Sequence, residues 1–552
     1  MENMLRLVTG RIGCGKTARI YEEIRKITEQ GGEVTLVVPE QYSFHTEKKM
    51  LEMLGARGAD RVNVVSFSFL AKNLLKKYGL NSEKSLDDST RAMLMSVALD
   101  EAGDDLQVYS RHRYSPAVIL QMLKTLKDFR QCSVTSDKIE ETLTKLKPSL
   151  LKDKLGEILL IDRTYTALVE QNYFDDDCAL DILCDVLDEH RDFDGAEVFV
   201  DGFRGFTAQE YAVLERIMRQ SAETWVTLCV DKADDEFGVF AHTFRTKRKL
   251  IRCAQKSGTD IAKPELLTRD GSIDPELNAL EKGLYSGGAE IYGEKTKKIT
   301  LCSAEDFESE CEFVACTIKR LIRTENIRCR DIAVISRSEN NYSRQIRSAL
   351  IKNGVPVFED KRQPITSEPL IEFVRSAIEI GTSGFSTDAL MRLAKTGLTD
   401  LTIEEIAKIE NYALMWQING KKWLDEWTAH PNGLGEKMLE KDAAELREIN
   451  DTRIKLVAPL QKFRVKLRDF TSLEAAQAIY YLLIDMNVGE NLKKLAIKLN
   501  ESSQSELASE QERIWSLTME MLDRIADSLE GVRLTPSRFR ELFDLDRKST
   551  RL

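Results

Sequence analysis

Near its start the chain reads Gly10-Arg11-Ile12-Gly13-Cys14-Gly15-Lys16-Thr17. This is a glycine, four residues, a second glycine, a lysine and a hydroxyl residue, which is the spacing of a phosphate-binding loop. Residues 5–8 before it have the apolar pattern of a buried strand, and isoleucines recur at helical spacing over residues 20–27 after it. Strand, loop and helix follow in the order that phosphate binding requires.

The chemistry of this loop predicts ATP and Mg²⁺ as ligands. Backbone N–H groups of residues 10–17 would surround phosphate oxygens, and the helix N-terminus would add partial positive charge. Lys16 would reach the β- and γ-phosphates, and the Thr17 hydroxyl would bind Mg²⁺. We therefore assign all eight residues of the loop to the nucleotide site.

Composition narrows the class of protein. No apolar run has the length of a membrane span and no secretory signal opens the chain, so we expect a cytoplasmic protein without membrane contact. The ten cysteines form no Cys-x-x-Cys pair, which argues against a zinc or iron–sulfur site in this chain. A net charge of −11 argues against bulk attraction to nucleic acid but leaves room for a local basic channel.

The order of elements predicts an α/β fold of the P-loop NTPase type, with parallel sheets and large inserted helical domains. A second α/β unit is expected to use strands at 299–301 and 332–335. The expected domains are a P-loop domain at 1–80 and 195–295, a helical insertion at 81–194, a partial second α/β lobe at 296–388, and a helical region at 389–552.

The apolar strand that ends in Asp201 is the candidate for the second acidic motif of an ATPase. Asp201 would serve the metal, although Asp-Gly is also a common turn signal. Gly202 stands where a water-positioning glutamate would follow, and Glu210 is the nearest substitute. We expect ATP and Mg²⁺ binding with weak or absent hydrolysis.

Arg337 follows the strand predicted at 332–335. In two-lobed motor ATPases an arginine from the second lobe reaches the γ-phosphate. A surface arginine explains the same pattern equally well, so both interpretations stay open.

Loops at the carboxyl ends of the early strands combine hydroxyl and aromatic side chains, which suits single-stranded DNA. Each ring taken alone is better explained as core, but their clustering favours DNA contact. The candidates are Gln41, Ser43, Phe67, Phe203 and Phe206.

Several segments in this order resemble the AddB family, a family of subunits of the bacterial AddAB helicase–nucleases. They are Pro39-Glu40-Gln41, Val65-Ser66-Phe67-Ser68, Val200-Asp201-Gly202-Phe203, Phe206-Thr207-Ala208-Gln209-Glu210, Ile332-Ala333-Val334-Ile335-Ser336-Arg337, Glu368-Pro369-Leu370-Ile371-Glu372-Phe373, Glu410-Asn411-Tyr412-Ala413 and Gly420-Lys421-Lys422-Trp423.

The resemblance implies a superfamily 1 helicase-like architecture, whose domains 1A, 1B, 2A and 2B would be the four regions above. It implies an AddA-like partner that acts as the motor, binding to single-stranded and duplex-end DNA, and a role in recombinational repair of double-strand breaks with recognition of Chi. Members can have arginine where Phe69 stands, which puts Chi specificity in doubt. The family's nuclease, with its four-iron four-sulfur cluster, would lie beyond Leu552, so we expect an N-terminal half without nuclease activity.

Two other functions remain open. An active superfamily 1 motor would need a displaced carboxylate such as Glu210. A non-catalytic P-loop scaffold would make no DNA contact.

Overall fold

A computed structural model describes most of the chain. The described residues are 3–80, 86–231, 238–268, 274–284, 291–337, 339–357, 365–433, 437–502, 504–528 and 533–549. Within these ranges, no helix has both the length and the apolar character needed to cross a membrane.

A parallel sheet forms the centre of the first part of the chain. Its strands are β1 (Met4–Gly10), β2 (Val34–Val37), β3 (Val62–Val65), β4 (Glu197–Val200), β5 (Glu223–Cys229), β6 (Asp260–Ile261) and β7 (Glu265–Leu266). Their order is β3-β2-β4-β5-β1-β6, and β7 also pairs with β1. Strand β5 therefore separates β1, which leads into the phosphate loop, from β4, which leads to Asp201.

Helices cover both faces of this sheet and link it to the insertion. They are α1 (Lys16–Glu29), α2 (Ser43–Ala59), α3 (Phe67–Lys77), α4 (Asp88–Glu101), α5 (Pro116–Gln131), α6 (Ser136–Lys145), α7 (Leu150–Asn172), α8 (Ala179–Glu189), α9 (Ala208–Gln220), α10 (Ala241–Ser257) and α11 (Pro275–Gly283). One apolar core lies between the sheet and α1 and α2. A second lies between the opposite face and α3, α8, α9 and α10. The continuous apolar strands expected from the sequence follow from this coverage on both faces.

The rest of the chain is mainly helical. Its elements are α12 (Phe307–Thr324), α13 (Glu339–Lys352), α14 (Pro369–Ser383), α15 (Thr387–Ala394), α16 (Ile403–Met415), α17 (Glu440–Lys466), β8 (Phe470–Thr471), α18 (Ser472–Asp485), α19 (Val488–Glu501), α20 (Ser505–Ser528), β9 (Arg533–Leu534) and α21 (Pro536–Ser549). As predicted, α21 starts at Pro536, and Thr535 accepts the N–H of Arg538 at 3.3 Å.

The last helices pack back on the insertion. Leu545 of α21 lies in the core that α4, α5 and α7 build, and Met93 of α4 lies in the large core of the C-terminal helices. Arg538 donates to the hydroxyl and the carbonyl of Ser96 at 2.7 and 3.0 Å. These contacts join the two helical regions through α4 and α21.

The second parallel sheet is the part of the predicted fold that is wrong for the described residues. Residues 299–301 and 332–335 belong to no strand or helix and form no ladder there. Leu301 and Ile335 are 97% and 93% exposed, so no strand or helix covers them. A parallel pair needs further strands and helices to bury its faces. Among the described residues of this region, α12 and α13 pack together around Ala315 and Leu350, and Ile332 packs against the same cluster.

Candidate functional site

The phosphate loop joins β1 directly to α1. Gly10 has a φ of 153°, and a Cβ there would lie 2.4 Å from the Cys14 sulfur and 2.5 Å from the Leu267 carbonyl oxygen. Only glycine fits this approach, because the second neighbour is backbone and cannot move aside. The close passage lets the loop turn tightly into the N-terminus of α1, which presents free N–H groups and partial positive charge.

The Lys16 ammonium lies inside the loop. Its Nζ donates to the carbonyl oxygens of Gly10 and Arg11 at 2.9 and 2.8 Å. The lysine is held where the loop closes, at the first turn of α1. Its charge is thus available to a phosphate group that enters the concave side of the loop.

Asp201 connects the loop to the sheet. The Thr17 hydroxyl donates to one carboxylate oxygen at 2.8 Å, and the hydroxyl of Thr227 on β5 donates to the other. Asp201 is 8% exposed, and its N–H donates to the Val37 carbonyl at 3.0 Å. A carboxylate beside a hydroxyl is an oxygen donor set of the kind that Mg²⁺ prefers. These residues fit the metal that the sequence predicts.

An open cleft of about 1440 Å³ lies in front of the loop. Arg25, Lys49 and Arg204 line it, which suits a polyphosphate. Arg11 also lines it, but its guanidinium pairs with Glu281 at 3.0 Å and Asp231 at 3.3 Å. Arg11 therefore fastens the loop to the segment around α11.

Tyr21 of α1 also faces the cleft. Burial and the nearby Asp201 carboxylate raise the pKa of its hydroxyl. The phenol stays protonated at neutral pH and remains a hydrogen-bond donor.

Gly202, after Asp201, has a backbone that disfavours the missing glutamate. Its φ is 83°, in the left-handed region, and a Cβ there would lie 3.3 Å from the Pro39 ring. A glutamate at this position would therefore be strained as well as crowded. The site therefore differs from that of an efficient ATPase in the backbone conformation of residue 202 as well as in its missing carboxylate.

Glu210, the possible substitute, caps α9. Its carboxylate accepts the N–H of Thr207 at 2.7 Å, and the Thr207 hydroxyl accepts the N–H of Glu210 at 3.2 Å. This reciprocal pair is a capping box. The carboxylate is thus engaged at the helix start.

Of the residues expected to contact DNA, Phe67 is misplaced for that role. It is 3% exposed, and its ring packs edge-on against Phe203 at 5.5 Å and Phe206 at 6.1 Å. Phe203 and Phe206 are half-buried, with ring centroids 5.0 Å apart. The clustering seen in the sequence has an apolar cause, because these rings are neighbours in one core.

Other side chains at the same edge of the sheet are exposed. Gln41 is exposed and Ser43, the first residue of α2, is half-buried. Phe44 and Phe69 are 80% and 51% exposed, so their rings, rather than Phe67, are accessible for stacking.

Arg337 lies at the end of the irregular segment that begins at residue 332. It is exposed, and it is absent from the described residues that line the cleft. Its proposed reach to a γ-phosphate stays a prediction.

Sequence reasoning missed Thr227 and Arg204. Thr227 is a hydroxyl residue between the apolar Val226 and Leu228 of a buried strand, and this polarity was the available signal. Arg204 comes three residues after Asp201, in a loop that follows a strand. A cationic side chain in such a loop was the available signal for a phosphate contact.

Comparison with known proteins gives two family models. One, described as "ADDB, N-terminal", matches residues 7–281. The other, "UvrD-like helicase C-terminal domain", matches residues 239–416. The first contains the phosphate loop, Asp201 and all of the parallel sheet except the first three residues of β1.

Curated relatives match nearly the whole chain. A protein of Caldanaerobacter subterraneus subsp. tengcongensis is 29% identical over 98% of this chain, and one of Clostridium novyi is 30% identical over 99%. Both are named as the B-type subunit of an ATP-dependent helicase/deoxyribonuclease, and the alignment covers 48% of each relative. The chain thus spans about half the length of the curated relatives it matches. It belongs to the AddB family, as its motifs indicate.

Proposed function

We propose that this chain is the ATP- and DNA-binding, helicase-like part of a two-subunit helicase–nuclease that repairs double-strand breaks by recombination in the cytoplasm. The observation that carries the proposal is the Thr17–Asp201–Thr227 arrangement beside the phosphate loop. Lys16 and the loop amides would hold the phosphates of ATP, and Thr17 and Asp201 would hold Mg²⁺. The bound metal would neutralise phosphate charge.

We propose further that this site binds ATP without turning it over efficiently. The conformation of Gly202 and the capping role of Glu210 support this, because neither position offers a free carboxylate next to Asp201. ATP would then stabilise the sheet domain and the loops around it, while an AddA-like partner performs translocation.

The DNA role is assigned to the edge of the sheet that carries Gln41, Ser43, Phe44 and Phe69. Exposed rings beside polar side chains support contact with a single strand. Recognition of Chi is part of this proposal. Phe69 is the position at which the chain departs from the family pattern.

The proposed domains are those expected from the sequence: 1A at 1–80 and 195–295, 1B at 81–194, 2A at 296–388, and 2B at 389–552. The match of residues 239–416 to a helicase C-terminal model supports the third of these.

Calorimetric titration of ATP–Mg²⁺ into the wild-type chain and Lys16→Ala tests the proposal. We expect binding in the wild type and none in the variant, while Lys26→Ala, on the exposed side of the same helix, binds normally. Unchanged affinity in Lys16→Ala would exclude the phosphate-loop assignment. DNA-stimulated ATP hydrolysis at several turnovers per second would contradict the proposal of a degenerate site and would show that the chain is an active motor.

A further inference from the structure

Helix α10 (Ala241–Ser257) is the most basic helix in the sheet domain. Its 17 residues contain six lysines and arginines and no aspartate or glutamate, in a chain of net charge −11. Such a local excess of positive charge in an acidic protein marks a surface for a polyanion.

The basic side chains form a line along the exposed side of the helix. Arg245, Lys249, Arg252 and Lys256 are exposed and are spaced four, three and four residues apart. This spacing keeps them on one face over three turns, which is a length of about 16 Å. We call these four residues the α10 stripe.

The inner side of α10 anchors this face rigidly. Leu250 and Ala254 are fully buried in the sheet core, and the Thr243 hydroxyl donates to the Cys229 carbonyl at 2.6 Å. The Thr246 hydroxyl donates to the Arg204 carbonyl at 3.2 Å. The α10 stripe therefore begins beside the nucleotide cleft and runs away from it.

Little in the described structure neutralises the stripe. Lys256 pairs with Glu215 at 2.9 Å, but its side chain remains 74% exposed, and such pairs contribute little. Lys249 lies over the Tyr211 ring at 5.3 Å. Arg245 and Arg252 have no ion-pair partner among the described residues.

The exposed face of α10 lacks apolar residues. Its exposed members are His242, Arg245, Arg248, Lys249, Arg252, Gln255 and Lys256. A protein partner normally requires an apolar or aromatic centre in its interface, and a single strand requires rings on which bases stack. A duplex requires neither, because it presents phosphates at fixed spacing, about one per 3.4 Å of axis on each strand.

We propose that the α10 stripe binds the phosphate backbone of duplex DNA without reading its sequence. The stripe would contact about four or five phosphates of one strand and hold the duplex on the outer surface of the sheet domain, next to the ATP cleft. This inference rests on the proposed DNA role and adds a separate duplex surface, distinct from the sheet edge that carries Phe44 and Phe69.

The test combines Arg245→Gln, Lys249→Gln and Arg252→Gln in the full chain. Fluorescence anisotropy would measure binding of a labelled blunt 25-bp duplex, a labelled dT20 strand and labelled poly-L-glutamate from low to moderate salt. We expect about tenfold weaker duplex binding and a log–log salt slope that is shallower by about two to three, since three phosphate contacts are lost. Affinity for dT20 and for ATP–Mg²⁺ should stay within about twofold of wild type.

Two variants control for charge and folding. Lys441→Gln, Lys462→Gln and Arg468→Gln together remove the same charge from exposed positions elsewhere and should leave duplex binding unchanged. Arg245→Lys with Arg252→Lys keeps the charge and should bind duplex nearly as wild type does.

Unchanged duplex affinity in the stripe variant, or an equal loss in the charge control, overturns the inference. So does a loss confined to dT20 or to poly-L-glutamate, which would assign the face to a single strand or to an acidic protein. If the wild-type chain binds neither DNA, the proposed DNA role itself fails. If the wild-type chain binds both the duplex and dT20, and the stripe variant binds the duplex as tightly as wild type, the proposed DNA role stands and only the α10 inference fails.

Discussion

The Thr17 hydroxyl donates to Asp201 at 2.8 Å, although 184 residues separate the two in sequence. Thr17 follows β1 and Asp201 follows β4, and the strand between them, β5, supplies Thr227 to the same carboxylate. Three parallel strands thus converge on one acidic group. The candidate metal site depends on completion of the sheet across the whole helical insertion.

Replacing Thr227 by valine should weaken ATP–Mg²⁺ binding about 5- to 30-fold. The substitution keeps the shape of the side chain but leaves a buried oxygen of Asp201 without its donor, which costs about 1–2 kcal/mol. Titration of ATP with and without Mg²⁺ would measure this, and only the metal-dependent part should change. Thr224→Val on the same strand removes a buried hydroxyl away from the site and should bind normally. An equal effect of both variants would mean that Thr227 acts through strand stability alone.

Introducing a glutamate at Gly202 should not create an efficient ATPase. The positive φ of this residue opposes any L side chain, and we expect a stability loss of about 1–2 kcal/mol with turnover still at background. Thermal melting and a phosphate-release assay would measure both quantities. Gly202→Ala should lose similar stability, since strain arises at the Cβ. Hydrolysis that rises at least tenfold in Gly202→Glu alone would show that only the carboxylate was missing.

Removing the carboxylate of Glu210 should affect stability and leave the nucleotide site unchanged. Loss of half of the capping box of α9 costs about 0.5–2 kcal/mol in comparable helices. Glu210→Ala should therefore lower the melting temperature without altering ATP affinity or residual turnover. Glu210→Gln, which keeps an acceptor for the Thr207 N–H, should be closer to wild type. A selective loss of turnover in the alanine variant would instead assign Glu210 to catalysis.

Glu197, at the start of β4, should make the sheet domain less stable as pH rises. Burial and the nearby Glu223 carboxylate raise the pKa of Glu197 to about 7, against the opposing effect of Arg6. The folded state therefore holds a proton that the unfolded chain releases near pH 4.5, so this stabilisation is complete below that pH and is lost as pH rises through 7.

The variant Glu197→Gln should keep the neutral form at every pH. Compared with wild type, we expect a gain of about 1 kcal/mol at about pH 8 and little change at about pH 4.5, after allowance for solvent screening of this partly exposed group. Urea unfolding at both pH values measures the difference. Glu52→Gln, on an exposed face of α2, is the control. A gain that is independent of pH would argue against titration of Glu197.

The sequence predicted the phosphate loop, the first sheet and the helical insertion, because glycine spacing and apolar periodicity act over short distances. It failed at residues 332–335, where four apolar or small residues match a strand. Ile332 packs against the core of α12 and α13, but the segment pairs with no strand among the described residues. It also placed Phe67 at the surface, because the local sequence does not distinguish an aromatic residue that is exposed in a loop from one that is buried in a core. Thr227 was missed because its role exists only once β4 and β5 lie side by side.

The position of Leu545 in the core of α4, α5 and α7 has a consequence for biosynthesis. A ribosome adding about 5–20 residues per second would take roughly 20–75 s to translate the roughly 370 residues between α7 and that leucine. For this interval the nascent insertion would expose the apolar surface of α4 that α20 and α21 cover in the folded protein. We therefore expect a ribosome-associated chaperone to bind the insertion while the rest of the chain is translated. The parallel sheet can form before the helical insertion has finished folding.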